Sequence, residues 1–314
     1  MSPPELTDVR HLQPRDTAGW LFFGLACGAT AVGAGLALSG SLWAWAIGQL
    51  FLALAFVQWF VLLHEAGHHT LFRTRALNRA AGWIAGFIAL IPYPSWQRIH
   101  ARHHRWTGWQ DLDATTASLV ARPLASWERL LVDAAWKTGF PLFSLLYRVS
   151  NYWHLRRLAA YLRAAELGQV KFGIVVSLAG YVVLAAAVGP LALVKAFAVG
   201  RLLAFAIEDP LLLSQHTHIP QRLAGAARVR PFGSFEQQAF TRSLRLPAVF
   251  SRLILHFDAH ELHHMYVRVP GYDLRRIGYQ PGNEVDWWTW LKRAKALPGS
   301  IFLFQNRGQT GFDL

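Results

Sequence analysis

Eleven of the 14 histidines in this 314-residue chain fall in four short clusters. They are His64-Glu-Ala-Gly-His68-His69, His100-Ala-Arg-His103-His104, Gln215-His216-Thr-His218 and His260-Glu-Leu-His263-His264. Imidazole suits zinc, copper, iron and nickel, so the chemistry on offer is that of a metal. On a helix, positions i and i+3 or i+4 share a face. His64 and His68 can therefore point at one ion. So can His100 with His103 or His104, and His260 with His263 or His264. In a His-x-x-His-His unit the last two rings diverge by about 100°, so a single helix can reach two ions. A zinc site takes three or four protein ligands; this many histidines exceeds one such site and fits two ions of higher coordination number. Iron is the best candidate, because a non-haem iron pair can activate O2. His11, His154 and His256 stand apart and read as ordinary interfacial residues.

Two other classes use the same residues. His64-Glu65-Ala66-Gly67-His68 is also an H-E-x-x-H motif, which in a metalloprotease binds zinc and uses the glutamate as general base. That reading leaves three other clusters idle. A non-catalytic metal carrier would use the clusters but would need neither a lipid channel nor an electron donor.

The elements that must position these clusters are apolar. From Thr17 to Leu63 there is no Asp, Glu, Lys or Arg, and a bilayer-spanning helix needs about 20 apolar residues. The run holds two spans, with Ser39-Gly40-Ser41 as the turn between them. A second uncharged run, Phe172 to Val194, continues to about Leu213 and is broken at Gly189-Pro190. The expected spans are 18–38, 42–63, 170–188 and 191–213. Lys195 can snorkel at the end of the last one. Arg201 should face the bundle interior rather than lipid, with Glu208, two turns further along the same face, as its partner. Trp83 to Pro94 and Phe140 to Tyr147 are too short to span and read as helices lying in, or partly entering, the interface.

Composition agrees. Hydrophobic residues make up 53% and charged residues 16%, against a usual charged share of roughly 25%. The 14 tryptophans suit membrane interfaces. A net charge of +13 could serve nucleic acid or an anionic membrane. The basic residues border the apolar spans and no nucleic-acid recognition motif accompanies them, so the expectation is a membrane and no nucleic acid. The single Cys27 excludes an intramolecular disulfide, and the first residues do not read as a cleaved signal peptide. The turns at Gly40 and Gly189 carry no charge, whereas His64 to Lys171 holds 14 Lys or Arg against 6 Asp or Glu. The positive-inside rule then puts the N-terminus, 64–169 and 214–314 in the cytoplasm. The expected fold is a single all-α integral membrane domain, with four spans in two hairpins and a cytoplasmic helical cap carrying every histidine cluster.

HEAGHH from His64, HARHH from His100 and HELHH from His260 resemble, in order, the histidine boxes of the membrane fatty acid desaturases and related hydroxylases. HHRWTGWQDLD from His103 resembles the segment after the second box. QHTH from Gln215 resembles the extra histidine site of acyl-lipid desaturases of the plant delta-12 type. The resemblance covers about Trp20 to Tyr266. It implies an O2-dependent di-iron enzyme that desaturates an acyl chain; lipid hydroxylases and carotenoid hydroxylases or ketolases share the boxes. The implied metal ligands are His64, His68, His100, His103, His104, His260, His263 and His264, with His216 as the ninth and His218 as its alternative. His69 is a candidate ligand or ligand neighbour. Asp111, Asp113 and Glu261 are candidate acceptors for ligand N–H groups. The implied partners are a membrane lipid or acyl substrate and a separate electron donor, of ferredoxin or cytochrome b5 type with its reductase. The expected location is a bacterial inner membrane, with the histidine boxes on the cytoplasmic side.

This topology is testable by labelling. Cysteines placed at Ser41 and at Arg122 should react with impermeant reagents from opposite sides of the membrane; reaction from the same side would refute the arrangement.

Overall fold

A computed structural model describes residues 8–314. Among them, four helices are long and apolar enough to cross a membrane: α1 (Asp16–Leu38), α2 (Leu42–His68), α8 (Ala164–Val188) and α9 (Pro190–His216). Between α2 and α8 lie α3 (Arg75–Ile88), α4 (Tyr93–Trp106), α5 (Ser126–Thr138), α6 (Leu142–Arg148) and α7 (Leu155–Tyr161), with a π-helical stretch at Val149–Trp153. After α9 come α10 (Ala248–Leu253), α11 (His260–Met265), α12 (Trp287–Ala296), α13 (Gly299–Phe304) and α14 (Arg307–Thr310). Two three-residue strands, β1 (Ser243–Arg245) and β2 (Glu284–Asp286), pair in parallel. The structure thus adds a small β element to the expected all-α fold. Partners some 40 residues apart leave no local signal of such short strands.

The long helices overrun the apolar runs at their polar ends. α2 continues to His68, so the first histidine cluster is the last turn of a bilayer-length helix rather than a loop beyond it. α8 starts at Ala164, six residues before the expected span. Its first turn is polar because Glu166 turns back to accept the Arg163 N–H at 3.0 Å, satisfying one of the donors a helix start leaves free.

Buried along most of its length, α2 is the pillar of the bundle. It packs against α1, α3, α4 and α9. Gly48 makes the closest approach possible. A Cβ there would lie 2.7 Å from the Gly33 carbonyl oxygen and the Ala37 nitrogen of α1, the small-residue contact that draws membrane helices together. One residue on, Gln49 turns the other way. Its amide donates to the Ala196 carbonyl at 2.8 Å and accepts the Gly200 N–H at 2.7 Å. A single buried side chain thereby bridges a backbone donor and acceptor four residues apart on α9.

Arg201 and Glu208 of α9 do not pair. Seven residues of helix rise about 10 Å, which separates their head groups. Arg201 instead donates to the Ile88 carbonyl and lies over the Phe56 ring, 3.6 Å from its centroid. Glu208 is fully buried and forms its ion pair with Arg148 of α6. The next residue, Asp209, accepts the Ser144 N–H at 2.6 Å. These contacts pin α6 to the middle of α9.

Breaking a buried pair on one side leaves an uncompensated charge, typically at a cost of about 3–5 kcal/mol. Glu208→Gln should therefore lower the Tm of the detergent-solubilised protein by far more than Arg201→Gln, since Arg201 is held by a carbonyl and a ring. Equal shifts in a thermal unfolding assay would contradict the pairing.

Candidate metal centre

Four helices deliver nine imidazoles to one place. His64 and His68 close α2; His100, His103 and His104 lie on α4; His216 is the last residue of α9; His260, His263 and His264 occupy α11. Their nitrogens form two groups, His64, His68, His100, His104 and His263 in one, His103, His216, His260 and His264 in the other. Within each group the ligand atoms lie within 4.8 Å of one another. The division follows helical geometry. His103 and His104 of α4 go to different groups, as do His263 and His264 of α11, because adjacent helix positions point about 100° apart.

Separations within the groups suit metal ligation. The His68 and His100 Nε2 atoms are 2.8 Å apart, and His104 Nε2 lies 3.0 Å from those of His100 and His263. In the second group His260 Nε2 lies 2.8 Å from His216 Nε2 and 3.0 Å from His264 Nε2. Neighbouring nitrogens bound at right angles to an ion at about 2.1 Å would be about 3.0 Å apart. His64 Nε2 is buried and has no hydrogen-bond partner among the described residues. A buried nitrogen left without a donor or acceptor is costly; a cation supplies what it lacks. Nine imidazoles in two such sets fit two imidazole-binding ions.

Electrostatics keep the rings in the form that binds metal. Burial, and then the proximity of the other imidazoles, hold His100, His104, His260, His263 and His264 well below the usual histidine range. They are neutral at pH 7, with a lone pair to donate.

The opposite nitrogens are oriented by hydrogen bonds, and this is where the sequence reading needs correcting. Asp113 is buried and lies 2.7 Å from His103 Nδ1. Burial pushes its carboxyl up, but His103 and the Thr115 N–H outweigh this and hold it below the usual carboxylate range. Asp111 and Glu261 do not touch a ligand ring. Asp111 accepts the backbone N–H groups of Ala224 and Gly225 at 2.9 and 2.8 Å, and Glu261 those of Gly282 and Asn283 at 2.8 and 3.0 Å. Both carboxylates shape backbone loops instead, at 224–225 and at 282–283. His69 is outside both groups, because it ends α2 in the left-handed conformation, φ 62°, which turns it off the helix face. His218 is outside too. Its Nε2 faces Thr310 Oγ1 at 2.9 Å and the Phe312 carbonyl at 3.2 Å, so the third cluster contributes His216.

Three orienting groups were not expected. Glu65 Oε1 lies 3.1 Å from His64 Nδ1. Its Oε2 accepts from Thr70 Oγ1 at 2.7 Å and from the Gly271 N–H at 2.8 Å. Both oxygens are thus engaged behind His64, not placed over a metal as a protease base requires. Gln237 Oε1 accepts at 2.8 Å from His264 Nδ1, and its amide donates to the His104 carbonyl at 2.7 Å. The Phe240 carbonyl lies 3.1 Å from His216 Nδ1. Gln237 and Phe240 belong to one short 3-10 helix, Glu236–Phe240, that carries no sequence motif, and only the fold brings them here. Trp96 completes the wall, stacked on His100 with centroids 4.3 Å apart. It fits because residue 67 is glycine: a Cβ there would sit 1.9 Å from the indole.

The chain matches the fatty acid desaturase family over residues 40–281. It is 44% identical over 48 residues to a Delta(12) fatty acid desaturase of Mortierella isabellina, 15% of this chain and 12% of that protein. It is 28% identical over 107 residues to an sn-1 oleoyl-lipid 12-desaturase of Anabaena variabilis, 34% of this chain and 28% of that one. Against an endoplasmic-reticulum omega-6 fatty acid desaturase of Glycine max it is 25% identical over 263 residues, 74% of this chain and 64% of the relative. In each of these three alignments the chain spans less than two thirds of the relative's length.

Removing the partner of a metal-bound imidazole typically costs about 10- to 100-fold in metal affinity or activity. Asp113→Asn and Gln237→Leu should each lower retained metal, measured by elemental analysis after mild chelation. Asp111→Asn should leave it unchanged. Equal retention by all three would remove Asp113 and Gln237 from the site.

Proposed function

Because this chain belongs to the fatty acid desaturase family, an oxidoreductase family, we propose that it introduces a double bond into an acyl chain at a pair of irons held by the nine histidines. A bound non-haem iron pair would supply, from O2 and two electrons, an oxidant able to take hydrogen from an unactivated C–H bond. The observation that carries the proposal is a cavity. A narrow space of about 50 Å³ is lined by His64 and His100 of one group and by His103, His216 and His260 of the other. It faces both groups at once.

That space adjoins a larger apolar cavity of about 440 Å³ between α5, α6 and α9. Leu119, Phe143 and Tyr147 line both and form the neck between them. The larger cavity is walled by Trp127, Leu131, Phe140, Leu146 and Val149, all of them exposed at the surface. Exposed apolar side chains of this size suit contact with lipid rather than water, so an acyl chain can enter sideways from the bilayer. Burial pushes the Tyr147 hydroxyl up to about 12. It therefore stays protonated at the neck and puts no charge in the path of the chain. The protein's own contribution is to exclude water and to fix which carbon reaches the histidine-lined end. Electrons come from a separate ferredoxin or cytochrome b5 type donor, and the site lies on the cytoplasmic face of a bacterial inner membrane. The family resemblance supports the donor, and the arginine asymmetry supports the sidedness.

The test gives the reconstituted protein a defined acyl lipid, labelled O2 and a working reductant chain, with products read by mass spectrometry. Loss of two hydrogens without gain of oxygen is expected. A main product carrying one labelled oxygen would make the protein a hydroxylase. Leu119→Trp should narrow the neck and lower turnover by roughly tenfold, about 1.4 kcal/mol, with bound metal unchanged. Full activity in that variant would place the acyl path elsewhere.

A further inference from the structure

A second cavity, of about 700 Å³ and open to the surface, lies at the start of α1 and shares none of its lining residues with the acyl cavity. One wall is the first turns of α1, with Ala18, Leu21 and Phe22. The opposite wall is formed by Leu246, Ala248 and Arg252, running into α10. Five arginines line it: Arg15, Arg245, Arg252, Arg275 and Arg276.

The charge in this pocket is not cancelled. Asp273 takes Arg15 and Arg276, Asp258 takes Arg275, and Glu284 is shared by Arg275 and Arg245. Three carboxylates against five guanidinium groups leave two positive charges. Arg252 makes no ion pair among the described residues. Beside this charge sits apolar surface. Leu21 is 59% exposed on a helix of bilayer length, and on α10 Val249 and Phe250 are 67% and 55% exposed next to Arg252. A short helix with arginine beside bare apolar side chains suits a membrane interface.

We propose that this pocket binds an anionic phospholipid, its phosphate among Arg15, Arg245 and Arg252 and its acyl chains along Leu21 and Phe22 of α1. Guanidinium groups match phosphate oxygens in geometry as well as charge. The apolar wall continues into a span, which places a phosphate at the depth a headgroup occupies. A soluble acidic partner would use the arginines and leave the apolar wall bare. The lipid has a structural consequence. The Arg15 N–H donates to the Tyr272 hydroxyl at 2.7 Å, and the Arg15 guanidinium holds Asp273. The neighbouring Gly271 N–H is one of the donors that fix Glu65 behind His64. A lipid clamped across Arg15 therefore steadies the segment that backs the first histidine group. The inference rests on the membrane reading alone and is independent of which reaction the centre performs.

The test uses the full-length protein in detergent, titrated with dioleoylphosphatidylglycerol or dioleoylphosphatidylcholine and followed by native mass spectrometry and thermal unfolding. The anionic lipid should bind and raise Tm, as any ligand of the folded state does, while the zwitterionic lipid and inorganic phosphate at millimolar concentration should do neither. Arg245→Gln/Arg252→Gln should weaken phosphatidylglycerol binding at least tenfold with an unchanged Tm in its absence. If that double variant does not fold, Arg252→Gln alone, which breaks no ion pair, should weaken it severalfold. Equal binding of both lipids, undiminished binding in the variants, or a shift produced by phosphate alone overturns the proposal. So does salt-sensitive capture of a purified acidic ferredoxin, lost in the same variants, with no phosphatidylglycerol binding.

Discussion

Everything in this molecule answers to the crowding of nine imidazoles into two sets a few ångströms across. Taken out of water and pressed against their neighbours, His100, His263 and His264 are held neutral. Neutral nitrogens with lone pairs facing inward repel and desolvate each other at real cost, and the fold must hold them there until a cation satisfies them. Rigidity at this point has to come from outside the sets. It comes from the last turn of a buried helix, α2, and from Glu65, Asp113, Gln237 and the Phe240 carbonyl behind the rings. Gly67 contributes by its missing side chain, which lets Trp96 lie flat on His100.

The demand for a fixed α2 explains the polar side chains within the apolar bundle. Gln49 stitches α2 to α9 through two backbone groups, and the Arg148–Glu208 pair with Asp209 stitches α9 to α6. Apolar packing alone discriminates weakly between helix registers in a bilayer, since lipid tails compete on equal terms with side chains. Directional bonds fix the rotation and height of α9, and with them the position of His216. They also hold α6, whose Phe143 and Tyr147 form the neck leading to the histidines. One set of buried polar contacts therefore serves both the histidine groups and the proposed acyl path.

Much of this was written in the sequence. The absence of charge between Thr17 and Leu63 dictates bilayer-length helices, because backbone groups in lipid must be satisfied within the segment. The spacing of His100, His103 and His104, and of His260, His263 and His264, dictates that each of those helices feeds two sets, because adjacent positions on a helix cannot face the same point. Both properties are local, governed by helical repeat and side-chain polarity. The roles of His69, His218, Asp111 and Glu261 were not local. Whether a histidine beside a box joins it depends on backbone conformation at a helix end, and whether a carboxylate meets a ring or a loop N–H depends on which segments the fold lays beside it. The pairing of Glu208 with Arg148 rather than Arg201, and the arrival of Gln237 behind His264, join residues 60 and 27 positions apart. No periodicity reports such contacts. They exist only once the helices have packed, because a hydrogen bond needs its partners within about 3 Å, and that proximity is a property of tertiary structure alone.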